Sequence, residues 1–370
     1  MPEAGIHAMP AWREAETEAE REEVYLFRYV HYFRHLTDAP GVDHALGRVY
    51  SPHDDRSTHL TGRGENGCLV IVGTGTSAST TGLPDIWQEI LRLRRLEPLG
   101  LDRILIYSRL VERGDCRRGT VFPEFFRYSS RYFTSRGFAY TVHYCPPPVL
   151  PLYERLGYRQ YGKGFSMPGG LYRIPLILVA FDHAHLGRVF PAFRQATADL
   201  HPVGDLNQVL RLLPDIAEIP LCALAGGERL ELARNLPSDG GPPSSAGGRD
   251  MPRRMEKALR RSSILRLDEG DSPAHAEDAP LLWFVLDGQC RVRLDDGSEL
   301  MARRGTFING GVCSMFTALE PSRVVLCAPG RLNLAKRPAV LPFAFWEEFC
   351  NAGSETSALE YPAPPHPGIP

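Results

Sequence analysis

The spacing of apolar residues changes several times along the chain, and each change marks an element. Between Glu20 and Phe33 apolar residues recur at helical spacing, with Val24, Phe27, Tyr29, Val30 and Phe33 on one stripe and charges between them. Cys68 to Val72 predicts a strand, and the Gly-, Ser- and Thr-rich run from Gly73 to Gly82 reads as a turn. Ile86, Ile90, Leu91 and Leu93 line one side of a predicted helix over 87–96. The most informative stretch runs from Leu101 to Tyr158. It opens on the β-branched run Ile104 to Tyr107 and a basic turn ending at Gly119. A helix follows, with Val121, Phe122, Phe125, Phe126, Tyr132 and Phe133 on one face and a stop at Arg136-Gly137. Phe138, Tyr140, Val142 and Tyr144 then alternate as in a strand. Pro146-Pro147-Pro148 breaks the chain before a short helix, Leu150 to Leu156, closed by Gly157. Tyr172 to Val179 predicts a closing strand, Phe181 to Leu186 the start of a helix, and 199–213 a connector helix.

From Ser262 the period shortens to strands separated by glycine turns. Leu281 to Leu286 is a predicted strand, Cys290, Val292 and Leu294 alternate, and Asp295-Asp296-Gly297 marks a hairpin turn. Arg323 to Ala328 predicts another strand and Phe343 to Phe349 a closing helix. The fold class is therefore α+β: a mixed sheet flanked by helices, then a smaller domain built on a β-roll or sandwich. The expected organisation is a flexible arm over 1–19, a first domain over 20–200, a second over 201–350 with a mobile Gly/Pro/Ser insertion at 237–250, and a Pro-rich tail over 351–370.

At 370 residues there is room for two cores. With 42 basic and 44 acidic residues the charge is balanced, so nothing in it calls for nucleic acid or an anionic membrane. No apolar run is long enough to span a bilayer, and the acidic N-terminal residues lack the apolar core of a secretion signal. Eight cysteines without CxxC pairs suit reduced thiols, and a cytoplasmic location is expected.

The order strand, glycine turn, helix, strand, helix suits acyl transfer from a phosphopantetheine thioester. Backbone N–H groups at the turn and the helix dipole favour a pyrophosphate there, and Arg117 and Arg118 add charge. Two splayed strands would admit the pantetheine arm, and Tyr153 would protonate the leaving thiolate. Arg109 would orient the pocket by pairing with a carboxylate, and Glu112 and Glu124 are candidate bases for the amine. Arg28 and Tyr32 would shape the acyl pocket together with Tyr107, His143, Tyr144 and Cys145; for Arg28 and Tyr32 the plainer expectation is a packing helix with a salt-bridged arginine. Cys145 with His143 could be drawn as nucleophile and base, but residues two apart on a strand lack a third, orienting group. His53, Asp54, Asp55 and His59 fix no tetrahedral metal set, so no metal is expected.

The stretch resembles the GNAT superfamily of N-acyltransferases, and most of all its N-acyl amino acid synthase branch, akin to acyl-homoserine-lactone synthases. The residues carrying this are Tyr107-Ser108-Arg109-Leu110-Val111, Arg118-Gly119 and Pro151-Leu152-Tyr153-Glu154-Arg155-Leu156-Gly157-Tyr158, which matches the branch signature lYerlGF. Val24 to Tyr29 with Tyr32, and His59-Leu60 with Val72-Gly73-Thr74, are similar to its opening helix and strand pair. The resemblance spans roughly residues 20–200 and implies an acyl-CoA or acyl-carrier-protein donor and a small-molecule amine acceptor. The implied donor loop is Cys116-Arg117-Arg118-Gly119-Thr120-Val121, which keeps only the middle glycine of the superfamily loop Q/R-x-x-G-x-G/A. Thr76 stands where an arginine is usual, and Tyr107 where an acidic residue is. This departure is compatible with an acyl-carrier-protein donor and equally with lost catalysis.

The second half resembles the cyclic nucleotide-binding domain, on Pro220 to Leu224, Val285-Leu286-Asp287-Gly288-Gln289 and Arg304-Gly305-Thr306-Phe307-Ile308. The resemblance assigns Arg323 to a cyclic phosphate. The ribose-binding glutamate falls near Gly311, and its loss would leave a hydroxyl unpaired at a cost of roughly 1–3 kcal/mol. A regulatory or scaffolding role without nucleotide is therefore the expectation. Two alternatives stand beside it: a cyclic-nucleotide-governed protein lysine acetyltransferase, and a non-catalytic binding protein.

Overall fold

The computed structural model describes residues 10–33, 41–113, 121–166, 172–224, 228–229, 231, 258–260, 262–273, 282–327 and 338–341. In chain order the first half contains β1 (Ala11–Glu14), α1 (Glu18–Arg28), β2 (Val42–Asp43), β3 (Arg48–Val49), β4 (Thr58–Arg63), β5 (Leu69–Ser77), α2 (Asp85–Ile90), α3 (Leu93–Leu96), β6 (Ile104–Glu112) and α4 (Val121–Ser135). It continues with β7 (Tyr140–Cys145), α5 (Leu150–Arg155), β8 (Arg159–Gln160), β9 (Phe165–Ser166), β10 (Tyr172–Val179), α6 (His183–Val189), α7 (Pro191–Ala196) and α8 (Leu206–Leu212).

One sheet organises this half, in the order β1-β4-β5-β6-β7-β10-β8, with β9 also on β10. Every pairing is antiparallel except β6 with β7. On one face Leu105 and Tyr107 pack against Phe125 and Phe133 of α4. On the other, Ile104, Ile106, Val142 and Ile177 pack with Trp87 and Leu91 of the α2–α3 segment. Helix α4 forms where the aromatic stripe predicts it, because that stripe is the surface the sheet buries. Helix α1 is fixed at its start by a capping box, Thr17 and Glu20 each accepting from the other's backbone N–H.

Several local expectations differ from the structure. Ala11–Glu14, expected in a loose arm, is an edge strand on β4, held by Trp12 against Phe125 (5.6 Å between centroids) and Tyr128. Gly73 to Ser77, read as a turn, continues β5. A Cβ at Gly73 would meet the Tyr107 hydroxyl, and one at Gly75 the Phe133 ring, so these glycines let α4 settle on the sheet. The helix over 87–96 is two short ones, broken where Arg92 adopts a left-handed φ of 47°.

The second half contains β11 (Ser263–Leu267), β12 (Leu282–Asp287), β13 (Gln289–Leu294), β14 (Glu299–Arg303), β15 (Phe307–Asn309), β16 (Cys313–Ala318) and β17 (Ser322–Cys327). They form a four-stranded sheet, β11-β17-β12-β15, and a three-stranded sheet, β14-β13-β16. Among the described residues these are two antiparallel sheets, not a closed roll. The 237–250 insertion, the 351–370 tail and the Phe343–Phe349 segment lie outside the described residues. One apolar cluster runs across both halves, from Phe126, Tyr158 and Leu176 to Leu265, Trp283 and Val324. Among the described residues no helix is long and apolar enough to cross a membrane.

Candidate active site

Strands β6 and β7 pair over only three positions, Ile104 with Tyr140, Leu105 with Thr141 and Ile106 with Val142. Beyond Ile106, β6 pairs with β5 alone, and beyond Val142, β7 pairs with β10 alone. The two strands part at that point. A register shift between β5 and β6 around Val72 and Thr74 accompanies the parting, and Arg109 opposite it sits at a left-handed φ of 51°. A bulge of this kind twists and bends the strand that carries it.

The first side chains beyond the last shared rung are polar. Ser108 Oγ on β6 and His143 Nε2 on β7 are buried without a hydrogen-bond partner, and the buried Tyr107 hydroxyl beside Ser108 has only Ser129 near it. Ser129, whose hydroxyl donates to the Phe126 carbonyl at 3.0 Å, keeps its lone pairs as the side-chain hydrogen-bond partner nearest the Tyr107 phenol. Buried polar atoms left unpaired cost roughly 1–3 kcal/mol each, so Ser108 and His143, one on each strand just past the parting, call for an explanation. Burial pushes the Tyr107 phenol well above its usual range and His143 down to about 3, so the imidazole is neutral at physiological pH.

Tyr153 stands on α5, its ring 4.0 Å from that of His143 and 5.6 Å from that of Tyr158. Gly157, at φ 96°, turns the chain after α5 and brings Tyr158 back beneath it. Cys145, on the same strand as His143, lies in the apolar cluster, where burial foremost, and then Glu154, raise its thiol well above the ordinary value. A thiol held protonated in this way is a poor nucleophile.

On the other side of the parting lies a buried ionic network. Arg28 Nη1 donates to Asp54 Oδ1 at 3.2 Å, and Arg28 Nη2 bonds Thr74 Oγ1 and lies 3.0 Å from His59 Nδ1. Arg109 donates to the other Asp54 oxygen and to Ser51 Oγ. Burial alone would raise the Asp54 carboxyl, but the guanidinium groups of Arg28 and Arg109 outweigh it and hold it below its usual value. Burial, then Arg28, lowers His59 to about 4, and burial lowers Arg28 to about 10 against the pull of Asp54. The sequence offers Asp54 and His59 as weak metal candidates, and His59 also in the strand pair, but neither as part of an ionic network. Their role was hidden because it depends on β4, β5, β6 and α1 meeting, which no local spacing encodes. Arg109 and Arg28, both expected at the pocket, converge on this carboxylate.

His53 stacks edge-on to Trp87 at 4.5 Å, with its Nε2 buried and unpartnered. Tyr144 on β7 faces the same side; burial raises its phenol, opposed by Arg173 and Arg109. Val121 opens α4, whereas Cys116, Arg117, Arg118, Gly119 and Thr120 of the expected donor loop lie outside the described residues, as does the Tyr32 side chain. Glu112 ends β6 opposite Ile71, and Glu124 pairs with Arg127 on the surface of α4. His185 in the first turn of α6 is buried, and burial lowers it to about 4. Arg323, far from this site on β17, is engaged by Asp287, which accepts from both its Nε (2.6 Å) and its backbone N–H (3.0 Å). Among the described residues no group of three or more His, Cys, Asp or Glu side chains is placed to hold a metal ion.

No family model and no curated protein matches the chain. Solved structures similar to it include FeeM, an N-acyl amino acid synthase from uncultured soil microbes, at 14% identity and a TM-score of 0.39 over 50% of this chain and 98% of that one. Another is BjaI, a CoA-dependent acyl-homoserine lactone synthase, at 14% identity and a TM-score of 0.40 over 55% of this chain and 98% of that one. A third is Escherichia coli ElaA, at 12% identity and a TM-score of 0.33 over 46% of this chain and 99% of that one.

Proposed function

We propose that the first half is an N-acyltransferase of the GNAT type. It moves an acyl group, a fatty acyl group in the favoured reading, from a coenzyme A or acyl-carrier-protein thioester to the amine of an amino acid or similar small molecule. The supporting observation is the parting of β6 and β7 just past Ile106 and Val142, with unpartnered polar groups on both banks. A pantetheine arm carries amides and a thioester along an extended chain, and so supplies the partners such a wedge lacks. The amine attacks the thioester carbonyl, the C–N bond forms and the C–S bond breaks. The Tyr153 phenol protonates the departing thiolate, and Glu112 is the candidate acceptor of the amine proton. Positioning and acid catalysis suffice for this chemistry, without an enzyme nucleophile.

The deciding experiment is a transfer assay with acyl-CoA and acyl-carrier-protein donors against a panel of amines, run beside Tyr153→Phe. Turnover should fall by about 10²-fold or more in the variant while donor affinity is retained. Equal turnover in both forms would remove Tyr153 from the mechanism, and no transfer to any amine would leave a binding protein.

A further inference from the structure

The second half is joined to the first at the helix that carries Tyr153. Glu154, the next residue, is buried, and Ser263 Oγ of β11 donates to its Oε2 at 2.6 Å. Ser263 is itself fully buried. Gln160 Nε2 on β8 donates to the Ile264 carbonyl at 2.8 Å and reaches Glu154 Oε1 at 3.4 Å. The carboxylate of α5 is thus gripped by β11 directly and through β8. Around this junction the boundary is tied by Lys163 to Asp268 and by the Tyr172 hydroxyl to Asp271 (3.3 Å). Tyr153 packs against the apolar cluster that both halves share.

We infer that Ser263, acting through Glu154, is a positioning residue for the Tyr153 phenol, and that the second half is a working part of the transferase. This inference rests on the proposed acyltransfer reading. A short α5 has no packing reason to bury a carboxylate, and an unpaired buried carboxylate would cost several kcal/mol. Ser263 and Gln160 remove that penalty only when α5 is in register with β11, so the pair fixes where the helix sits. Burial raises Glu154 to about 7, opposed by its bonds to Ser263 and Gln160; Glu218, Arg155, Cys145 and Cys222 are the other titratable or charged groups facing it. The ionised form takes both donors, so the phenol is best placed above neutrality.

The test compares Ser263→Ala, Ser263→Thr and Glu154→Gln in the full chain. Each is followed by kcat against pH, by donor affinity and by the aromatic NMR shifts of labelled Tyr153. Ser263→Ala should lower kcat by about 10- to 100-fold, the scale of a misplacement of about 1 Å, with donor affinity within about twofold. Ser263→Thr should recover most of the rate, and Glu154→Gln should flatten the rise of kcat through neutral pH. Unchanged kcat and Tyr153 shifts in Ser263→Ala would overturn the inference, as would parallel losses of donor affinity and kcat that Thr does not restore. If the wild-type chain transfers nothing, the functional reading fails on its own, while the Tyr153 shifts still report whether Ser263 positions the ring.

Discussion

Arg28 and Asp54, both fully buried, meet at 3.2 Å beneath the strand that carries Arg109. Removing one member of such a pair strands the other in a low-dielectric interior. Asp54→Asn keeps the shape but deletes the charge that two guanidinium groups face. It should cost about 3–5 kcal/mol, read from a lower urea midpoint at unchanged slope. A loss below about 1 kcal/mol would mean that solvent reaches the network.

Acid should weaken the fold well before carboxylates titrate. His59, His143 and His185 are held down to about 4, 3 and 4. Unfolded histidines bind protons near pH 6.5, so between that pH and about 4 the unfolded chain holds more protons and stability falls as pH falls. Glu154, raised to about 7, acts in the opposite sense, because its folded form keeps a proton that the unfolded chain has released. Burial also lowers His53 and raises Asp271, so four lowered histidines stand against two raised carboxyls and stability still falls with acid near pH 5.5. Glu154→Gln should steepen that slope, and a flat stability curve from pH 7 to 5 would contradict the assignment.

Gly75 should not accept a side chain. Its Cβ would enter the space of the Phe133 ring, which α4 has no room to withdraw. Gly75→Ala should cost about 1–3 kcal/mol by overpacking, and combining it with Phe133→Leu should recover part of that loss. Additive losses in the double variant would show that the two positions do not compete for the same volume.

Arg323 is already paired with Asp287, and its side chain is 53% exposed. Cyclic AMP at millimolar concentration should therefore leave the thermal midpoint of the chain unchanged, and Arg323→Ala should cost less than about 1 kcal/mol. A rise in Tm that Arg323→Ala abolishes would restore the nucleotide-binding alternative.

The path from β6 through α4 and β7 to α5 was readable in the sequence, because each element announces itself by period and by a glycine or proline stop. The extension of β5 was not. Gly73 and Gly75 look like turn residues until Tyr107 and Phe133 are seen to occupy the volumes their side chains would need. The ionic network was half readable: Arg28 and Arg109 are legible as pocket residues, whereas Asp54 reads as one of a His/Asp group that fixes no metal set. The burial of His185 is not legible either, since the turn at Gly157, whose backbone it faces, comes from a distant part of the chain. Contacts made by chain segments far apart in sequence leave no local period to read.

The apolar cluster that begins at Phe126 and ends among β12 and β17 ignores the boundary drawn near residue 200. A tethered module can swing away or be lost by truncation without harming its neighbour. Here Leu176 and Trp283 share one interior, so the halves are soldered rather than hinged, and a gene cut between them would expose raw core on both fragments.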